Sequence, residues 1–306
     1  MPRNWENLVC IDLMHQPVFL KEVLELFDPR PGQTYIDATA NGGGHSGAIA
    51  ECISPGGILL GIDRDCDIMR EARRRFADHP FHSTMIFECA NYADMKAIAK
   101  KRGIAGADGI LFDLGFSSYH TDESGRGFSF RRDEPLDMRY DIKGNSLTAG
   151  EIVNQWPEER IADMVRRYGE ERYAERIAGA IARSRLRGTI ASSAVLAGIV
   201  ASAVPRRGRI HPATRTFQAL RIAVNRELDS LESALPDAAD LLRVGGRLLV
   251  ISFHSLEDRI VKRFIRNQER AGALDAILKK PIQSSPEDTA INPRARSARL
   301  RGAIKR

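Results

Sequence analysis

No apolar run in this 306-residue sequence approaches the roughly 20 residues that a membrane-spanning helix requires. The N-terminal stretch Met1-Pro2-Arg3-Asn4-Trp5-Glu6 has no apolar signal core, so a cytoplasmic protein without membrane contact is expected. Cysteine is scarce. Cys10, Cys52, Cys66 and Cys89 lie far apart with no Cys-x-x-Cys pair, and they read as reduced, mostly buried thiols, not as a zinc site or disulfide framework. The chain lacks a Gly-x-Ser-x-Gly elbow and a phosphate-loop lysine, which argues against a hydrolase or an NTPase. His254 and Glu257 are three residues apart and His45 is a further candidate ligand. No second set of His, Cys or carboxylate groups has ligand spacing, so no metal is expected.

Acid is missing from two long stretches. Between Arg183 and Arg215 stand seven arginines, and between Pro293 and Arg306 six basic residues, with no Asp or Glu in either. These segments account for the formal net charge of +6 and a pI near 9.3. Clustered arginine without carboxylates is the footprint of a phosphate-bearing partner; the plainer reading is a solvated basic face. The rest is ordinary for a globular chain, 43% apolar and 28% charged, enough for one large or two modest domains.

What is present centres on Asp37-Ala38-Thr39-Ala40-Asn41-Gly42-Gly43-Gly44-His45-Ser46. It follows the short apolar run Thr34-Tyr35-Ile36 and leads into Gly47-Ala48-Ile49-Ala50, a helix start. A strand, a glycine-rich turn and a helix make the nucleotide end of a doubly wound α/β domain, where glycine lets the backbone approach a ligand. A second apolar strand, Gly57 to Ile62, ends in Asp63, about 20 residues past the turn, where a carboxylate accepts both hydroxyls of an adenosine ribose. The glycines are consecutive, an acid ends the first strand and His45-Ser46 occupy the first helical turn. That suits S-adenosylmethionine, which has no phosphates but carries an amino group that an acid can hold.

Strands and helices alternate from Tyr35 to Leu114, the pattern of a mostly parallel sheet with crossover helices. The alternation stops there. Residues from about 116 to 213 hold a polar Gly/Arg-rich loop and then helix patterns at 148–154, 157–168, 170–183 and 191–203. A long helix over 216–235, a turn and strand over 245–253 and a helix over 256–267 restore the α/β pattern. The expected fold is therefore α/β, a doubly wound, mostly parallel Rossmann-like sheet with an inserted small all-α domain. Its parts are 1–115 and 214–283 for the α/β domain, 116–213 for the insertion and 284–306 for a basic, flexible tail. An insertion at a strand's carboxyl end sits where substrate selectivity is usually built.

Two further segments reach the same crevice. Asp113 ends the fourth strand, where its carboxylate either accepts a hydrogen bond from a substrate amine or caps a helix. His254 follows the last apolar strand, as a polar contact or base or as a loop cap. Phe116, Tyr119 and Phe253 are the aromatic rings available to stack on a base.

Several motifs run through nearly the whole chain in order. They include His15-Gln16-Pro17-Val18, Gly43-Gly44-His45-Ser46, Asp113-Leu114-Gly115-x-Ser117-Ser118, Pro135-Leu136-Asp137-Met138-Arg139, His211-Pro212-Ala213-Thr214-Arg215 and Phe253-His254-Ser255-Leu256-Glu257-Asp258. Taken together the sequence resembles the bacterial 16S ribosomal RNA cytidine-N4 methyltransferase family, which has a class I methyltransferase sheet. The resemblance implies S-adenosylmethionine as cofactor and, as substrate, a cytidine in the decoding region of the small ribosomal subunit, cytidine 1402 in standard rRNA numbering. It implies cofactor contacts at Gly42, Gly43, Gly44, His45, Asp63, Tyr92, Asp113 and His120, with Asp113 and His254 at the reacting base. Asn41 stands where the family has glycine, and Asn tolerates left-handed φ. His120 stands where the family has glutamine, and one ring nitrogen can still donate. Arg139, Arg206, Arg207, Arg209, Arg215, Arg294 and Arg296 are the expected contacts to the 16S rRNA backbone, and loss of the tail would weaken RNA binding. A homodimer would extend this basic surface.

Overall fold

The structure is a computed structural model that describes residues 17–77, 83–115, 117–205, 211–285, 289 and 292–306. The chain divides into two compact units, Met1–Gly115 with Leu228–Arg306 and Phe116–Glu227.

The first unit is built on one sheet. Its strands are β1 (Thr34–Asp37), β2 (Ile58–Asp63), β3 (Thr84–Cys89), β4 (Ala107–Asp113), β5 (Leu242–Ser252), β6 (Leu274–Ala276), β7 (Ile282–Gln283) and β8 (Arg299–Lys305). They lie in the order β3-β2-β1-β4-β5-β8-β6, with β7 beside β8. The pairs among β1 to β5 are parallel, whereas β8 runs antiparallel to β5 and β6. Period-two alternation assigns the two faces. Ile110, Phe112, Leu248 and Val250 face a cluster with Met95, Leu231, Leu235 and Val261, and Leu111, Leu249 and Ile251 face Val23, Leu24, Phe27 and Ile49. Both faces are covered, so the central strands are apolar throughout; β1 is buried at all four positions.

The helices here are α1 (Leu20–Phe27), α2 (Gly44–Cys52), α3 (Cys66–Phe76), α4 (Met95–Lys101), α11 (Glu227–Leu241) and α12 (Ser255–Arg270). In α1 the buried residues Leu20, Val23, Leu24 and Phe27 keep the i, i+3, i+4, i+7 spacing of one helix face. At the start of α3, Asp65 accepts hydrogen bonds from the Asp67 and Ile68 amides, which satisfies two end donors.

Three sequence expectations are corrected. The basic tail is not flexible: β8 lies inside the sheet, with Leu300 and Ala303 buried and Gly302 kept small because a Cβ would come within 2.8 Å of Leu249. Its charge is compensated. Asp258 takes Arg299 at 2.8 Å and Arg301 at 2.7 Å, and Lys305 donates to the carbonyls of Ala239 and Asp240 at the end of α11. The long helix over 216–235 is two helices, α10 (Thr214–Asn225) and α11, broken where Arg226 takes a left-handed φ of 49°. The pair Cys66 and Cys89 forms a disulfide, with Cα atoms 5.1 Å apart; Cys52 is a buried thiol outside it, and Cys10 lies outside the described residues. Cys89 pairs in register with Asp63, so only the parallel alignment of β2 and β3 brings the two sulfurs together.

The second unit is helical among its described residues: α5 (Ser118–Asp122), α6 (Ala149–Gln155), α7 (Glu158–Gly169), α8 (Ala174–Arg185), α9 (Ser193–Ala203) and α10. Ile152, Ile161, Val165, Ile177, Leu196, Phe217 and Leu220 form its core. Because Phe217 and Leu220 belong to that core, the unit runs on through α10 instead of stopping at residue 213. Asn225 holds the preceding loop in place, accepting from the Tyr140 amide at 2.9 Å and donating to Met138 O at 2.7 Å. Among the described residues no helix is long and apolar enough to cross a membrane.

Candidate active site

The carboxyl ends of β1, β2, β4 and β5 bring together Asp37, Asp63, Asp113 and the Phe253-His254 segment. In a parallel sheet these ends border the ligand crevice. Both oxygens of Asp37 are engaged within the protein: Ser46 Oγ donates to one at 2.6 Å and the Thr39 amide to the other at 3.2 Å. Burial raises its pKa to about 6, and those two hydrogen bonds oppose the shift. Thr39 Oγ1 in turn accepts the Asp113 amide at 2.5 Å, which joins the ends of β1 and β4.

Asp113 is different. Its Oδ1 is buried and has no hydrogen-bond partner among the described residues. Burial, then the nearby charges of Asp37 and Glu257, push its pKa well above the ordinary carboxylate value. The Oδ2 atom lies 3.6 Å from His45 Nδ1, while His45 Nε2 donates to Val18 O at 3.1 Å. Burial holds the His45 pKa down to about 4, so the ring is neutral. This is therefore not an ion pair: a carboxyl whose burial favours the neutral form faces a neutral imidazole.

Local backbone geometry explains the glycine-rich turn. Gly43 has φ of 82°, and a Cβ there would lie 2.5 Å from the Phe76 ring. Gly44 is crowded by Pro17, whereas Gly42 is exposed and a Cβ on it would meet nothing. Glycine at 43 and 44 is thus required by internal packing, and Gly42 alone borders open space. Asn41 has φ of 47°, the left-handed conformation that Asn tolerates, and its amide donates to Asp63 Oδ2 at 2.9 Å. Asp63 Oδ1 accepts from the Asp65 amide at 2.9 Å. Both oxygens of Asp63 thus brace the backbone, one at the glycine-rich turn and one at the start of α3.

Tyr92 opens the short turn after β3, its ring edge-on to Phe112 at 5.5 Å. Sequence reasoning missed Ser230 of α11. Its hydroxyl accepts from Arg64 Nη2 at 2.9 Å and from Asn91 Nδ2 at 3.3 Å, and so ties the loop after Asp63 to the loop before Tyr92. No sequence signal links residues 139 and 166 positions apart.

His254 is the N-cap of α12, with Nδ1 accepting from the Glu257 amide at 3.4 Å. Glu257 reciprocates, taking the Phe253 and His254 amides at 2.8 and 3.2 Å. The other ring nitrogen, Nε2, lies 3.2 Å from Glu257 Oε1, so both nitrogens of His254 face Glu257. Phe253 lies against Gly115, which has φ of 109°; a Cβ on Gly115 would be 3.1 Å from the Phe253 ring. The aromatic wall and Asp113 are therefore neighbours.

Other expected contacts lie in the helical unit and are committed internally. His120 is buried among Phe128 and Tyr140, with Nδ1 accepting the Ser117 amide at 3.2 Å. Arg139 makes a two-pronged pair with Asp137 at 2.9 and 2.7 Å and donates to Asn145 O, which fixes its side chain within the unit. Arg215 is half exposed but donates to Glu170 O at 3.1 Å. Arg206, Arg207, Arg209 and Phe116 lie outside the described residues, as does the side chain of Arg294; Arg296 is exposed.

Asp37, Asp113 and Glu257 make the crevice acidic, and Asp113 keeps one buried carboxylate oxygen without a hydrogen-bond partner among the described residues. S-adenosylmethionine, with a sulfonium, an ammonium and one carboxylate, is a net cation and fits that donor set. Sheet order, the acid ending β2 and the acidic crevice are together those of a class I methyltransferase that uses S-adenosylmethionine. The chain belongs to the MraW methylase family, which it matches over residues 12–306. It is 45% identical to the ribosomal RNA small subunit methyltransferase H of Symbiobacterium thermophilum, over 95% of this chain and 96% of that one. The protein of the same name from Geobacter sulfurreducens is also 45% identical, over 95% and 98%. A solved rRNA methylase from Streptococcus thermophilus is a remote likeness, 10% identical with a TM-score of 0.46 over 96% of this chain and 98% of that one.

Proposed function

We propose that the chain methylates the N4 amine of a cytidine in 16S rRNA, cytidine 1402 in standard numbering, within the small ribosomal subunit. The observation that carries this reading is Asp113, a half-buried acid at the end of β4 whose buried Oδ1 has no hydrogen-bond partner among the described residues. An exocyclic cytosine amine is a poor nucleophile because its lone pair is delocalised into the ring. An acceptor pulling on one N–H, and alignment toward the methyl donor, supply the help that it needs.

S-adenosylmethionine, when bound, supplies the electrophilic methyl group. Gly42 and Asp63 border the adenosine, with Tyr92 beside the adenine. Gly43, Gly44 and His45 shape the turn. Asp113 accepts the amine hydrogen bond and orients the base, and Phe253, held by the His254–Glu257 cap, provides the stacking wall. The helical unit recognises the RNA. The same reading takes the protein as cytoplasmic and as able to form a homodimer. The test is transfer of labelled methyl to unmethylated 30S subunits, followed by nucleoside digestion and mass spectrometry. New N4-methylcytidine is expected; measurable cofactor binding with no label in RNA would reject the substrate.

A further inference from the structure

Helix α12 carries a line of positive charge that the proposed site leaves unused. Arg259, Lys262, Arg263, Arg266 and Arg270 are all exposed. At about 100° per residue, Arg259, Arg263, Arg266 and Arg270 share one narrow arc with Lys262 on its flank, and Val261, Ile265 and Glu257 lie on the far side. The five are neighbours at i, i+3 and i, i+4, where like charges repel and destabilise a helix. Other exposed helices of this chain place an acid within such reach. Arg70 meets Asp67, Arg74 meets Glu71, and Arg166 and Arg167 meet Asp163.

On α12 no acid compensates the four cations from Lys262 to Arg270 among the described residues. Among the described residues Lys262, Arg263, Arg266 and Arg270 enter no ion pair or hydrogen bond through their side chains. Asp258 is held by Arg299 and Arg301 from β8, and Glu269 receives the Ala276 amide and flanks the arc. The stripe also has a direction. It begins just past the His254 cap at the carboxyl end of β5 and runs from Arg259 to Arg270, about 16 Å at 1.5 Å per residue.

We propose that this stripe is a phosphodiester track for the RNA strand that bears the acceptor base, leading away from the crevice. It rests on the reading above that the acceptor is RNA. Guanidinium groups bind phosphate oxygens in a planar, two-pronged way, and repulsion along the helix is relieved when the phosphates arrive. A membrane surface is the poorer match, because none of the large exposed apolar residues lies on α12 to enter a bilayer.

The test uses the full chain with Lys262→Gln, Arg263→Gln, Arg266→Gln and Arg270→Gln combined, Gln being a good helix former. Arg70→Gln with Arg74→Gln on α3 is the comparison. Binding to unmethylated 30S subunits is measured across a salt series, together with S-adenosylmethionine affinity and thermal midpoint. Four lost phosphate contacts should flatten the slope of log K against log salt by about 3, with cofactor affinity unchanged. The comparison variant should keep the wild-type slope. A wild-type slope in the α12 variant refutes the track while leaving the RNA reading intact. Loss of binding to phosphatidylserine vesicles with an unchanged RNA slope also refutes it. Wild-type protein that binds 30S but forms no N4-methylcytidine fails the proposed reaction instead, and the slope comparison still tests the track.

Discussion

Cofactor binding should expel a proton from Asp113. In the free protein this carboxyl is buried beside Asp37 and Glu257, and all three influences favour its neutral form. A cation close to a carboxylate lowers its pKa by about 1–3 units, equivalent to roughly 1.4–4 kcal/mol favouring the ionised form. S-adenosylmethionine brings that cation; S-adenosylhomocysteine, with a neutral sulfur, brings less. The expected signature is release of up to one proton per cofactor at pH values between the bound and free pKa of Asp113. Over that window affinity for S-adenosylmethionine rises by up to about tenfold per pH unit, because tenfold is what one linked proton gives. The product should show a shallower dependence. Calorimetric titration in buffers of different ionisation enthalpy, from mildly acidic to mildly alkaline, counts the protons directly. Asp113→Asn should abolish the release and flatten the profile. Equal proton release by wild type and Asp113→Asn, or none by wild type at any pH, would refute the reasoning.

Further outcomes follow from the same geometry. Ser230→Ala removes the acceptor shared by Arg64 and Asn91, so the KM for S-adenosylmethionine should rise about 5- to 30-fold, for about 1–2 kcal/mol, with kcat held. A fall in kcat at saturating cofactor would contradict a positioning role. Deleting residues 299–306 removes the strand between β5 and β6, so the product should fail to fold rather than merely bind RNA less tightly; a cooperative thermal transition in the truncated chain would argue otherwise. Non-reducing peptide mapping should recover Cys66 linked to Cys89, and reduction should cost about 3 kcal/mol of stability by the chain-entropy relation. Asp37 and His45 should nearly cancel in acid. Asp37, raised from 3.8 to about 6, loses its stabilising share as pH rises through that window. His45, lowered from 6.5 to about 4, loses its share as pH falls through the overlapping window. Each is worth about 3 kcal/mol, so between pH 4 and 6 their slopes oppose, and His45→Gln should leave a stability that visibly declines as pH rises.

The sequence by itself determined the five parallel strands, the glycine-rich turn, the acids at the strand ends and the helical insertion. These are written in short-range patterns: apolar runs with period two, a left-handed-tolerant Asn41 before glycine, and helix periodicity in segments such as Glu158–Gly169. Tertiary structure decided what distant residues do to one another. The arginines of β8 look like a basic tail until Asp258 is placed beneath them, and the partners of Arg139, Asp137 and Asn145, are set by the fold of the loop. Cys66 and Cys89 meet only because β2 and β3 align in parallel. The stripe on α12 is written in the sequence as ordinary alternation of charge and apolar residues, but its lack of compensating acids depends on what β8 has already taken. Backbone preference and hydrophobic period act over a few residues and can be read locally, whereas charge pairing, desolvation and hydrogen-bond partnership depend on through-space distance, which only the folded chain sets.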